Sequence, residues 1–229
     1  MRDGQRAIFF DLDGTLADSV GVMRRIFAQF AATFDHDVSD ADFAACNGPP
    51  IALSLARLKR EWALKPNLDE LTNLYQSLID AAYLDVVPAR GATITLESAF
   101  RHGWTVGVVT SNSGARTRAW LARCGLAPFV DIVVGAEDVV LGKPEPEPYL
   151  IALARSGTPR HGVIAVEDSP QCARSAIGAG LRTFGIMADC GEASFGTETD
   201  WPEPIRLIGA LEELLPELGR GHRRVAGIR

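Results

Sequence analysis

Short apolar runs separated by stretches of helical spacing constrain this 229-residue chain more than any other feature. The runs lie at residues 8–12, 105–110, 131–134, 163–166 and 182–186, and they are rich in Ile, Val and Phe. Each has the length of a strand, and none alternates strictly between apolar and polar positions. That pattern predicts strands buried on both faces, as in a parallel sheet. Between them, residues 115–124, 147–156 and 172–179 carry apolar positions at helical spacing, followed by Gly125, Gly157 and Gly180 as stop signals. Strand and helix in alternation predict an α/β fold with a doubly wound parallel sheet, and ligands at the carboxyl ends of its strands.

One stretch breaks the alternation. From residue 19 to 87 no strand is predicted, only amphipathic helical segments at 22–34, 51–62 and 68–84, punctuated by Pro66 and by the turn Asn47-Gly48-Pro49-Pro50. Too many helices follow one another for a single crossover. The expected organisation is therefore a core built from residues 1–18 and 88–229, with 19–87 inserted as a helical cap over the end of the first strand. The two connections, near Asp18-Ser19 and Val87-Pro88, are the expected hinge.

Composition narrows the class. With 47% hydrophobic and 23% charged residues, the chain has the balance of a globular protein. No apolar run approaches the roughly 18 residues that a membrane-spanning helix needs, and residues 1–6 lead straight into the first strand without a signal-peptide pattern. A cytoplasmic protein with no membrane partner is expected. A net charge of −6 argues against nucleic-acid binding, although the tail Gly219-Arg220-Gly221-His222-Arg223-Arg224 is locally basic. Cys46, Cys124, Cys172 and Cys190 are scattered with no CxxC pair, so reduced and mostly buried thiols are expected rather than a zinc site. A monomer, or at most a weak homodimer, is the default.

Chemistry concentrates at Asp11-Leu12-Asp13-Gly14-Thr15, directly after the first predicted strand. Two carboxylates this close repel one another, which a divalent cation between them, or a proton on one of them, relieves. The motif resembles the opening of the haloacid dehalogenase superfamily, and the resemblance runs through residues 7–190. Leu16-Ala17-Asp18-Ser19 continues the first motif, and Val109-Thr110-Ser111-Asn112 resembles the second. The third is matched by Gly142-Lys143-Pro144-Glu145-Pro146, and the fourth by Val166-Glu167-Asp168-Ser169-Pro170.

The resemblance is to the phosphatase branch with a helical cap, and it implies a role for each matched residue. Asp11 would be the nucleophile that forms an aspartyl-phosphate, and Asp13 the general acid and then general base. Ser111 would hold phosphoryl oxygens, with Thr15 and Asn112 beside it, and Lys143 would offset the charge of Asp11 and the phosphoryl group. Magnesium would be held by Asp11, Asp13 through its carbonyl, Asp168, and Glu167 either directly or through water. The implied substrate is a small-molecule phosphate ester, touched in the cap near Gly48 and Arg57, with Lys59 close by. Taken alone, Ser111 could equally cap the next helix.

Asp13 separates the chain from the dehalogenases, whose halide leaving group needs no proton. Thr15 and Ile51 depart from the β-phosphoglucomutase branch, which usually carries Val or Ile at the first position and arginine at the second. A phosphosugar mutase is the alternative reaction. A non-catalytic protein that binds a phosphorylated ligand is the alternative from another class.

Overall fold

The computed structural model describes residues 5–46, 51–187 and 200–219. Six strands form one sheet: β1 (Ala7–Phe10), β2 (Thr105–Val109), β3 (Ile132–Val134), β4 (Val163–Glu167), β5 (Arg182–Ile186) and β6 (Ile205–Ile208). Their spatial order is β3-β2-β1-β4-β5-β6, and every neighbouring pair is parallel. The chain steps outward from β1 in one direction through β2 and β3, and in the other through β4 to β6. Between β1 and β4 the winding reverses, and that is where an open α/β sheet leaves a crevice at its carboxyl edge.

Alternation along β1 shows why the strands lack a polar face. Ile8 and Phe10 pack into one apolar cluster with Val106, Val108, Ile164 and Val166. Ala7 and Phe9 point into the other, with Val163, Ala165, Tyr149 and Ala152. Helices α5 (Ala92–Arg101) and α6 (Gly114–Arg123) cover the first face, and α7 (Glu147–Ser156) and α8 (Pro170–Gly178) the second. With both faces covered, no position on a central strand can remain polar without a partner. Helix α7 ends at Gly157, whose φ of 63° lies in the left-handed region that stops a helix.

The inserted segment is helical as expected. It holds α1 (Val20–Ala32), α2 (Asp40–Cys46), α3 (Ile51–Glu61) and α4 (Leu68–Tyr83). Aromatic contacts bind these helices together, with Phe30 edge-on to Tyr75 at 5.2 Å and Phe27 beside Phe43 at 6.0 Å. A reciprocal capping box between Asn67 and Glu70 starts α4. The two connections to the core run side by side. Asp18 donates its N–H to the Val87 carbonyl at 2.9 Å, and Ala89 to that of Leu16 at 2.8 Å.

Helices α2 and α5 and strand β6 were among the elements not anticipated. Helix α2 spans only seven residues, and α5 carries Thr and Ser among its apolar positions. Strand β6 is a short edge strand that begins just after Pro204 and is only partly buried, so it has no continuous apolar run. Of the three described cysteines, all free thiols, only Cys172 is buried; Cys46 and Cys124 are half-buried, contrary to the expectation that most would be buried. Gly48, Cys190 and residues 220–224 of the basic tail lie outside the described residues. Among the described residues no helix is long and apolar enough to cross a membrane.

Gly107 lies on the β2 face opposite Phe9. A Cβ there would sit 2.7 Å from the Phe9 ring, which is fully buried and cannot retreat. Gly107→Val is expected to lower stability by about 1–3 kcal/mol through overpacking. A urea titration of the variant against the parent chain checks this.

Candidate active site

The backbone aims Asp11 before its side chain meets anything. Its N–H donates to the Val166 carbonyl at 2.9 Å, which carries the β1–β4 ladder one residue past the end of β1. The chain then folds back on itself. The N–H groups of Leu16 and Ala17 both return to the Leu12 carbonyl, at 2.9 and 2.8 Å, and Gly14 takes a φ of 81° to close the turn. A Cβ on Gly14 would collide with the Asp168 carboxylate, so glycine is required by both conformation and space. This brings Asp11 and Asp13 onto one wall of a cavity of about 80 Å³, which Ser111, Asn112 and Asp168 also line.

Lys143 is the counter-charge, and it is only 1% exposed. Its ammonium donates to Asp11 Oδ1 at 2.7 Å and to the Val109 carbonyl at 2.8 Å, and it lies 2.6 Å from Glu167 Oε1. The Tyr149 hydroxyl donates to that same Glu167 oxygen at 2.5 Å. Burial alone would lower the Lys143 pKa, but the Asp11 and Glu167 carboxylates outweigh it and hold the ammonium well above its usual range.

Three acids crowd this one cation. Asp11, Glu167 and Asp168 each present an oxygen, and these oxygens all lie within 4.8 Å of one another. Burial pushes all three carboxyls up, Glu167 to about 7. Lys143 draws all three back, but at Asp168 the charges of Asp11 and Glu167 outweigh it and drive that carboxyl further up. Glu167 Oε2 is buried with no hydrogen-bond partner. An orphaned carboxylate oxygen within an all-oxygen cluster of surplus negative charge has the donor chemistry of a hard divalent cation site.

Asp13 is held on three sides. Ser19 Oγ and the Tyr83 hydroxyl both donate to its Oδ1, the former at 2.7 Å, and Asn112 Nδ2 donates to Oδ2 at 3.1 Å. Ser19 is the N-cap residue of α1, yet its hydroxyl makes no cap bond to the helix because it serves Asp13 instead. Asn112 is itself held by Arg116, whose Nη1 donates to Asn112 Oδ1 at 2.5 Å. The same guanidinium reaches Gln76 and Asp80 on α4, each at 2.7 Å. Arg116 thus joins the core loop that carries Asn112 to the helices above it.

Asp11, Asp13, Ser111, Asn112, Lys143, Glu167 and Asp168 are brought together. Other anticipated residues are not. Thr15 is buried, its hydroxyl has no partner, and it borders a separate cavity of about 560 Å³ behind the motif turn. Arg57 turns away from Asp11, with Nη2 on the Cys46 sulfur at 3.1 Å and Nε 3.7 Å from Glu61. Lys59 caps the Leu64 and Pro66 carbonyls at 2.7 and 2.5 Å. Ser113, rather than Ser111, caps α6.

Tyr83, Arg116, Tyr149 and the role of Ser19 were missed. Arg116 stands four residues after Asn112, a spacing that could have paired them on the first turn of a helix. Tyr83 lies 70 residues from Asp13, and no local signal connects the two.

The family model described as haloacid dehalogenase-like hydrolase matches residues 8–186. Pyrophosphatase PpaX of Bacillus velezensis is 29% identical over 185 residues, which span 79% of this chain and 82% of that protein. Pyrimidine 5'-nucleotidase YjjG of Escherichia coli is 30% identical over 223 residues, spanning 91% and 96%. Among solved structures, CbbY from Rhodobacter sphaeroides in complex with phosphate superposes with a TM-score of 0.77 at 24% identity, covering 92% of this chain and 96% of that one. The sheet order, the acid pair after β1, the buried lysine and the family match through all four loops agree: this chain belongs to the haloacid dehalogenase-like hydrolases.

Proposed function

We propose that this chain is a magnesium-dependent phosphatase that hydrolyses a small phosphate monoester through an aspartyl-phosphate on Asp11, beneath a helical cap formed by residues 19–87. One observation carries this reading. Asp11 is buried and clamped by Lys143, while Asp13 faces the same cavity with its carboxylate fixed by three donors. A nucleophile and an acid held side by side are what a two-step phosphoryl transfer requires. The relatives PpaX and YjjG carry the names of phosphate-releasing hydrolases, which supports the reaction class.

In the first step the Asp11 carboxylate attacks phosphorus, and the bond from phosphorus to the ester oxygen breaks. Asp13 gives its proton to the departing oxygen. In the second step Asp13 takes a proton from water, whose oxygen attacks phosphorus and releases inorganic phosphate with Asp11 restored. Lys143 offsets charge on Asp11 in both steps, and Ser111 with its neighbouring backbone N–H groups receives phosphoryl oxygens. Asp11, Glu167 and Asp168, with the Asp13 carbonyl, would hold the magnesium ion, which when bound neutralises phosphoryl charge. Tyr83, Ser19 and Asn112 keep Asp13 aimed at the leaving oxygen. Because Tyr83 belongs to the inserted helices, that aim depends on the cap lying over the core.

Asp11→Asn is expected to abolish phosphate release from p-nitrophenyl phosphate while leaving the circular dichroism spectrum unchanged. Removal of magnesium with EDTA should silence the parent enzyme, and added magnesium should restore it. Near-normal turnover by Asp11→Asn refutes the nucleophile assignment. Tyr83→Phe is expected to lower kcat roughly tenfold with KM little changed, since a misaimed acid slows proton transfer without altering substrate binding. Steady-state kinetics on the same substrate read that split.

A further inference from the structure

The walls of the cavity around Asp11 describe the rest of the substrate. Across from the acids, the inserted helices contribute Met23, Cys46, Ile51, Tyr75 and Ile79, none of them charged. Ile51, Thr110 and Ser111 also border a neighbouring cavity of about 260 Å³, so the two spaces adjoin. Its further walls are apolar at Ala52, Ala136, Val139 and Val140, and neutral at Thr72 and Gln76.

Cations stand close by, but each is turned elsewhere. Arg57 holds Cys46 and Glu61, Lys59 holds two carbonyls, and Arg24 pairs with Asp40 on the side of the motif turn away from Asp11. Arg116 is engaged by Asp80, Gln76 and Asn112. Among the described residues lining either cavity, Lys143 is the single cation, and it is held by Asp11 and Glu167. Residues 47–50, which lie outside the described residues, are Asn, Gly, Pro and Pro and bring no charge.

An anion placed among these walls would lose its water and meet no cation beyond the Lys143 already paired with Asp11 and Glu167, and it would also face Asp13 and Asp168. An uncharged carbon skeleton loses little there and gains apolar contact. Size gives a second limit, because an apolar cavity of roughly 150 Å³ accepts benzene. The adjoining cavity therefore takes one ring with room to spare.

Resting on the phosphatase reading, we propose that the substrate is the phosphate monoester of an uncharged, partly apolar alcohol about the size of a single ring. The leaving group lies between Met23, Ile51 and Tyr75 and extends into the adjoining cavity. Esters whose leaving group carries a second phosphate or a carboxylate are selected against.

Matched pairs with the same chemistry at phosphorus test this: ethyl phosphate against phosphoglycolate, and benzyl phosphate against 4-carboxybenzyl phosphate. In the parent enzyme the added carboxylate is expected to cost at least ~10-fold in kcat/KM, mostly through KM. Met23→Lys keeps an unbranched side chain at a half-buried position and adds an ammonium. It should narrow the ratio within each pair about fivefold, whereas Met23→Leu should leave it unchanged. Equal or faster turnover of the carboxylate-bearing members by the parent enzyme overturns the inference while leaving the phosphatase reading intact. If no member of either pair releases phosphate, the phosphatase reading fails and the inference falls with it.

Discussion

At the end of β1 the buried carboxylates of Asp11 and Glu167 and the half-buried one of Asp168 cluster, and one buried ammonium, that of Lys143, pairs with the first two. Burial alone would drive each acid toward its neutral form, and the lysine resists this for all three, with a direct hydrogen bond to Asp11 and Glu167 only. Most of the molecule is arranged so that this unequal group can exist. Strands β1 and β4 deliver the acids, the loop between β3 and α7 delivers Lys143, the turn at Gly14 leaves room for Asp168, and Tyr149 steadies Glu167. Buried charge of this kind contributes little to stability by itself. Groups shifted in this way by burial and by one another are concentrated at functional sites rather than in ordinary cores.

The parallel sheet makes the cluster possible because it collects residues distant in sequence. Asp11 follows β1, Ser111 and Asn112 follow β2, and Asp168 follows β4, so three loops open at one edge. The inserted helices then supply the opposite wall. Tyr83 and Ser19 reach back to Asp13, and Arg116 reaches up from α6 to Gln76 and Asp80 on α4. The acid is therefore oriented by groups from both parts of the chain, which links its geometry to the position of the helices. That wall is otherwise uncharged, formed by Met23, Cys46, Ile51, Tyr75 and Ile79.

Legibility from sequence followed the range of the interaction. Strands β1, β2, β4 and β5 were readable because a buried parallel strand is an uninterrupted apolar run, and α4 because its period and its Pro66-Asn67 start are local. Edge strand β6 escaped because half its surface meets solvent and so leaves no run to read. The motif residues were readable in kind, since DLDGT and the lysine and acid loops each have a local pattern. Their supports were not. Tyr83 reads as one more aromatic on an amphipathic helix, and Ser19 reads as the last residue of the first motif. Arg57 reads as a cation near the site, whereas its guanidinium is held by Cys46 and Glu61.

What the sequence by itself determined was the sheet, the inserted helices and the family motifs, because periodicity, turn chemistry and short motifs are properties of neighbours along the chain. Only the tertiary structure decided which donors hold Asp13, which charges crowd Lys143, and that Arg57 and Lys59 are engaged by Cys46, Glu61 and two backbone carbonyls. Those outcomes depend on distances between side chains tens of residues apart and on how much water packing leaves between them. Neither quantity is written in any local stretch of sequence.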